Sequence, residues 1–155
     1  MKALITTLIL LFISSTSFSQ SLENQLLGKW KLTKDEGYEF FINSPEAQMG
    51  DAEQLESFMD MMEDYHANNY KNFYSLDSMT STILDRREVV QEKSHWNVRA
   101  EDSVITWTSQ FHPKVLQAKI HRINQEELVL IYLTQNQEPG QFQIHYKKEE
   151  SVGIE

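Results

Sequence analysis

The sequence contains no cysteine, only three prolines and five glycines, and few basic residues. The absence of cysteine excludes a disulfide framework, thiolate metal sites, a cysteine nucleophile and lipid attachment through cysteine. Lys and Arg number 14 against 23 Asp and Glu, which gives a formal net charge of −9. A nucleic-acid binder needs a basic surface that displaces counterions, so this balance argues against that function and against docking on anionic lipid.

The N-terminus carries the longest apolar run of the sequence. Residues 3–13 read ALITTLILLFI, they follow Lys2, and small polar residues follow them up to Ser19. This layout is typical of a secretory signal peptide, and the run is shorter than the about 20 apolar residues that a membrane span needs. We therefore expect residues 1–19 to be a signal peptide and residues 20–155 to form one secreted or periplasmic domain without a membrane span after cleavage.

The negative charge is concentrated in one segment that has no Lys or Arg. Its ten acidic residues are Asp35, Glu36, Glu39, Glu46, Asp51, Glu53, Glu56, Asp60, Glu63 and Asp64. Within it, apolar residues recur at helical spacing, which predicts an amphipathic helix capped by Asp51 and a helical insertion at about 45–66. The apolar face of this helix is Leu55, Phe58, Met59 and Met62. We expect it to cover the open end of the remaining fold as a lid.

The rest of the sequence alternates with period two between polar breaks, which predicts short strands. The predicted strands are 28–34, 38–42, 70–76, 80–90, 95–99, 104–111, 114–123, 128–133 and 141–147. Their spacing of roughly ten residues leaves no room for parallel crossovers and is typical of an antiparallel barrel or sandwich. The predicted fold is therefore mainly β, a single antiparallel up-and-down β-barrel of about eight strands with one inserted amphipathic α-helix.

The segment LLGKWKL at 26–32 gives the chain a resemblance to the lipocalin superfamily, in which a Gly-x-Trp motif, here Gly28 and Trp30, opens the first strand. The chain looks most like the small lipocalin-like proteins exported by Bacteroidota, with an acidic, Met-rich helical insertion and a second Trp, here Trp96. The resemblance implies a calycin-type barrel and structural roles for Gly28 and Trp30. In lipocalins an arginine of the last strand stacks over the first Trp, and here only Lys147 and Lys148 could take that place.

Aromatic residues on the predicted inward faces are candidates for lining a cavity, because aromatic walls with a few polar tips suit an apolar ligand. The candidate ligand-binding residues are Trp96, Trp107, Phe40, Tyr132 and Phe142. The leading hypothesis is non-catalytic binding of a small hydrophobic or amphipathic molecule in the barrel of a monomer. The alternative is a barrel filled by its own side chains that docks a basic protein partner through the acidic helix.

Catalysis and metal binding have little support in the sequence. The five histidines share no metal-ligand spacing, no Gly-x-Ser-x-Gly elbow is present, and paired carboxylates are frequent only on the acidic helix. We therefore expect no catalytic residues, no metal and no cofactor. Arg86 and Arg87, with Lys71 and Lys93, form a modest basic cluster in sequence that could contact the acidic segment.

Overall fold

The computed structural model describes residues 21–109, 111 and 115–150, so the predicted signal peptide lies outside the described residues. Buried and exposed residues alternate in the longest strand, where Glu92, Ser94 and Trp96 are buried while the residues between them are exposed. The eight strands are β1 (Gly28–Asp35), β2 (Tyr70–Phe73), β3 (Ser78–Asp85), β4 (Glu88–Arg99), β5 (Val104–Thr108), β6 (Val115–Ile123), β7 (Glu127–Tyr132) and β8 (Ile144–Lys148).

The strands form one closed barrel in sequence order, and each pairs antiparallel with its neighbours. β1 closes the barrel by pairing with β2 on one side and β8 on the other. Closure leaves no free sheet edge, and it confirms the predicted mainly-β single antiparallel barrel of about eight strands with a helical insertion.

Four helices in the described part of the chain accompany the barrel: α1 (Leu22–Leu26) precedes β1, and α2 (Glu36–Ile42), α3 (Pro45–Gln48) and α4 (Ala52–Asn68) connect β1 to β2. Asp51 caps α4 as expected, since its Oδ1 accepts a hydrogen bond of 3.0 Å from the Gln54 N–H. The predicted strand at 38–42 is wrong, because these residues form α2. Asp35 starts that helix by accepting a 3.1 Å hydrogen bond from the Tyr38 N–H. The helical segment therefore begins at Glu36 rather than near residue 45.

The Gly-x-Trp motif closes one end of the barrel, which we call the base. Trp30 is fully buried, and its indole N–H donates a 2.7 Å hydrogen bond to the Leu26 carbonyl of α1. The Lys148 ammonium lies 4.9 Å from the centroid of the Trp30 ring, a cation–π contact. Lys148 thus takes the place that the resemblance reserved for an arginine. Gly28 has a φ of +117°, and a Cβ there would lie 2.7 Å from Lys148 Cε.

The other end, which we call the mouth, carries the β3–β4 turn and the helices α2 to α4. In this orientation β1 rises from Gly28 at the base to Asp35 at the mouth, and β2 descends from Tyr70. None of the helices among the described residues has the length and apolarity needed to cross a membrane.

Candidate functional site

Three buried polar residues form a row across adjacent strands on the inner wall of the barrel. Lys71 of β2 is the register partner of Ser81 of β3, and Ser81 is the register partner of Glu92 of β4. Their exposed fractions are 4%, 0% and 2%. Directly opposed residues on neighbouring strands share one face of the sheet, so the three side chains enter the same part of the interior. Burying a lysine and a glutamate together is costly, and this is the feature of the barrel that most needs a chemical explanation.

Aromatic rings surround the ammonium of Lys71. Its Nζ lies 4.5 Å from the centroid of the Trp107 ring and 5.9 Å from that of Tyr146. No carboxylate of the described residues lies within 4.0 Å of this ammonium. Burial lowers the pKa of Lys71 to about 8, and the charge of Glu92 opposes that shift. Lys71 is therefore a buried amine that loses its proton far more easily than an exposed lysine.

Hydroxyl groups extend the polar part of this interior. The buried hydroxyls of Ser81 and Ser94 make no hydrogen bond to any described residue. Glu92 Oε2 accepts a 2.9 Å hydrogen bond from the Ser109 hydroxyl, which fixes the carboxylate toward the mouth. Most buried polar atoms in folded proteins are hydrogen-bonded, so these two unsatisfied hydroxyls, of which Ser81 is in register with Lys71, are unusual in a barrel interior.

The opposite wall is aromatic with polar tips. The Trp107 and Tyr132 rings meet edge to face with their centroids 5.6 Å apart. The Tyr132 and Tyr146 side chains are joined by a hydrogen bond, and burial raises the pKa of both phenols far above the ordinary range. Both tyrosines therefore stay neutral at physiological pH. We call Lys71, Ser81, Glu92, Ser94, Trp107, Tyr132 and Tyr146 the interior site.

The helices α2 and α4 lie over the mouth above the interior site. Asp35, at the end of β1, places Oδ2 3.9 Å from His66 Nε2 of α4. Burial lowers the pKa of His66, and the Asp35 charge opposes this. Across the mouth, Glu36 Oε2 accepts a 3.0 Å hydrogen bond from the Gln143 N–H, which ties α2 to the segment before β8. The cover is thus attached to the barrel by a few polar contacts at its rim.

The structure places the five candidate lining residues in three different locations. Trp107 and Tyr132 belong to the interior site, whereas Trp96 packs at the base, where its ring meets Phe73 with centroids 4.9 Å apart. The prediction that Phe40 lines the barrel is wrong, because Phe40 lies on α2 and is 62% exposed. Its ring stacks on Phe142, 5.2 Å between centroids, and Phe142 precedes β8 instead of lying on the wall.

The predicted apolar face of the acidic helix is only partly covered. Leu55, Phe58 and Met62 are half-buried, but Met59 is 39% exposed, so its predicted burial is wrong. Phe58 packs on α2 rather than directly on the mouth, with its ring 5.3 Å from that of Phe41. No residue of α4 is fully buried. A helix without a fully buried residue is weakly held, as α4 is here.

Lys71 is the functional candidate that sequence reasoning missed. The sequence places Lys71 in a basic cluster with Arg86, Arg87 and Lys93, yet those three side chains are exposed and Lys71 is inside the barrel. The signal that could have found it is the alternation of β2, which puts Lys71 on the same face as Phe73. In the same way Glu92 and Ser94 share a face with Trp96 in β4.

Within the described part of the chain, no group of three His, Asp or Glu side chains is arranged to hold a metal ion. No family model matches the chain, and a search of curated proteins finds no match either. Fold and site together define a closed eight-stranded antiparallel barrel with a buried polar and aromatic interior, an architecture compatible with the lipocalin-like fold.

Proposed function

We propose that the protein is an exported, lipocalin-like, non-catalytic carrier that acts as a monomer and binds one small amphipathic molecule inside its barrel. The observation that carries the proposal is the interior site, where the Lys71 amine lies against aromatic rings and two buried hydroxyls are unsatisfied. Such groups destabilise an apolar core, because each buried polar group left without a hydrogen bond costs about 1–3 kcal/mol. A ligand with an apolar body and one polar end would satisfy them.

Barrel size supports the same proposal. Eight strands leave an interior that side chains fill or that holds one small ligand. The base is filled by Trp30, Phe73 and Trp96, and the next row toward the mouth holds the small Ser81 between Lys71 and Glu92. The space for a ligand would thus lie between the base and the helical cover. The proposed Bacteroidota-type assignment and export rest on the Gly-x-Trp opening, the acidic helical insertion and the N-terminal apolar run.

The test is native mass spectrometry of protein purified gently from its own envelope fraction, followed by solvent extraction of any added mass. We expect one bound small molecule per chain. Trp107→Ala should lose it, while Tyr74→Ala, which alters an exposed ring near the base, should retain it. A bare chain that also fails to bind added nonanol, measured by tryptophan fluorescence of the wild-type protein, would contradict the carrier function.

A second candidate function uses the outer face of α4. Its carboxylates at Glu53, Glu56, Asp60, Glu63 and Asp64 are exposed, and in the described part of the chain no Lys or Arg lies within 4.0 Å of them. A basic protein partner would complement this face. Such binding weakens steeply with salt, because exposed charges are screened. A partner that stays bound at high salt would argue against this docking mode.

A further inference from the structure

We infer that Lys71 holds its ligand covalently, as a reversible imine with the carbonyl group of a small apolar aldehyde or ketone. This rests on the proposed function and adds the chemical class of the ligand. The juxtaposition that carries it is a buried amine, a hydroxyl and a carboxylate in one row, facing an aromatic wall. Imine formation needs an amine that can lose its proton, a partner for the cation that results, and protection from bulk water.

The amine meets the first requirement. At pH 7 a lysine with a pKa near 8 is roughly 10% neutral, whereas an ordinary lysine is neutral in well under about 0.1% of molecules. Buried lysines with lowered pKa values are the ones that act as Schiff-base nucleophiles. Burial inside the barrel lowers the pKa of Lys71. The rings of Trp107 and Tyr146 beside its Nζ would pack against the apolar body of the ligand.

The negative charge of Glu92 favours a carbonyl group over a carboxylate as the polar end of the ligand. A carboxylate bound to Lys71 would be repelled by the buried Glu92 at the other end of the row. A carbonyl avoids this cost, because condensation exchanges one positive charge for another. The iminium keeps the charge of the ammonium, so Glu92 remains a counter-ion before and after the reaction.

The step balances without any added reagent. The Lys71 ammonium first releases one proton to solvent. The neutral amine then attacks the carbonyl carbon and forms the C–N bond while the C=O π pair moves to oxygen, and transfer of a proton from nitrogen to oxygen gives a carbinolamine. One proton from solvent, equal to the one released, protonates the hydroxyl; the C–O bond breaks, water leaves, and the nitrogen lone pair forms the C=N bond of the protonated imine. In total, one ammonium and one carbonyl compound give one iminium and one water, with no change in oxidation state. Ser81, between Lys71 and Glu92 and without a hydrogen-bond partner among the described residues, is placed to hold the carbonyl oxygen.

The experiment uses the full exported chain and nonanal as probe, with cyanoborohydride to reduce any imine to a stable secondary amine. We expect one nonyl group per chain at neutral pH. Peptide mapping should place it on Lys71, labelled at least about tenfold faster than the exposed Lys31. Lys71→Arg keeps the charge and should abolish this adduct, whereas Lys31→Arg should leave it unchanged. Glu92→Gln should reduce the yield, since the iminium loses its counter-ion.

Peptide mapping of the wild-type protein needs no variant, so the test does not depend on how well Lys71→Arg folds. Labelling of Lys71 no faster than of Lys31 would overturn the imine. Nonanol, which has no carbonyl, separates the two proposals. If nonanol binds but nonanal leaves Lys71 unlabelled, the carrier function stands and the imine is wrong. If neither compound binds, both proposals are wrong.

Discussion

At the scale of single residues, Gly28 has the clearest physical requirement. Its φ of +117° is strained for any side chain, and a Cβ would lie 2.7 Å from Lys148 Cε, the side chain that covers Trp30. We expect Gly28→Ala to lower the free energy of unfolding by about 1–3 kcal/mol, measured by urea denaturation.

Gly50 provides the matched control for this substitution. It lies between α3 and α4, has no positive φ, and a Cβ there would meet its nearest atom, the Ala47 carbonyl oxygen, at an ordinary 3.4 Å. Gly50→Ala should therefore leave the free energy of unfolding nearly unchanged. Equal losses for the two variants would show that the base of the barrel does not need glycine at position 28.

A second prediction at the residue scale concerns how the lowered pKa of Lys71 changes the free energy of unfolding with pH. Because the pKa is about 8 in the folded chain and 10.5 for an unperturbed lysine, the unfolded state binds more protons between these values. Stability contributed by this group therefore rises as pH increases through that window. Relative to Lys71→Met, the wild-type protein should gain stability from pH 8 to 10, by at most about 3 kcal/mol.

The measurement is urea unfolding of both proteins at each pH. Tyrosines with raised pKa values, such as Tyr146, lower the stability of both proteins above pH 10 and largely cancel in the difference. A pH-independent difference between wild type and Lys71→Met would mean that Lys71 is not the buried amine described above.

At the scale of elements, the β3–β4 turn holds two arginines in a backbone conformation that is unfavourable for them. Arg86 and Arg87 form a two-residue loop with φ values of 48° and 75°, conformations that Asn and Gly adopt at lower cost. We expect the double variant Arg86→Asn, Arg87→Gly to raise the free energy of unfolding by about 1 kcal/mol. Arg86→Ala should give no such gain; if it stabilises equally, relief of charge rather than of backbone strain is the cause.

The same turn shows why sequence patterns predicted most elements and mislocated some. Strand order and the α4 helix follow from periodicity and from the Asp51 cap, so they were predictable. Residues 80–90 were predicted as one strand because Arg86-Arg87 is not a turn sequence. Residues 38–42 alternate Tyr38, Phe40 and Ile42 like a strand, but the Asp35 cap and the packing of Phe41 on α4 favour a helix. Local propensity yields to such contacts.

The interior site was harder to predict for a different reason. A period-two pattern assigns faces by hydrophobicity, and it therefore treats a lysine or a glutamate as an outward residue. Lys71 and Glu92 break that rule, while Trp107 obeys it; for Tyr132, on a strand that is apolar on both faces, the pattern leaves the inward face open. Departures from such rules concentrate at functional sites, which is why the row from Lys71 to Glu92 carries the proposals.

At the scale of the whole molecule, the barrel and its helical cover differ in how many buried residues and hydrogen bonds hold them in place. The barrel has a continuous hydrogen-bonded wall and a core that includes Trp30, Phe73 and Leu128, all essentially buried. The cover has no fully buried residue in α4 and is joined to the rim through Asp35 and Glu36. Motions that admit a ligand should therefore occur in the cover while the barrel stays closed.

Replacing residues 38–66 by a flexible Gly-Ser linker of about eight residues tests this division, because β1 and β2 would then be joined as a hairpin. We expect the barrel to remain folded, with near-ultraviolet circular dichroism from its tryptophans retained, because the eight-strand wall and the base lie outside the deleted segment. Nonanol should dissociate at least about tenfold faster.

As a control, Asp60→Ala removes one exposed carboxylate from the intact cover and should leave dissociation unchanged. An unfolded deletion variant would show instead that α2 to α4 are part of the core structure, and unchanged dissociation would show that the ligand does not lie beneath them.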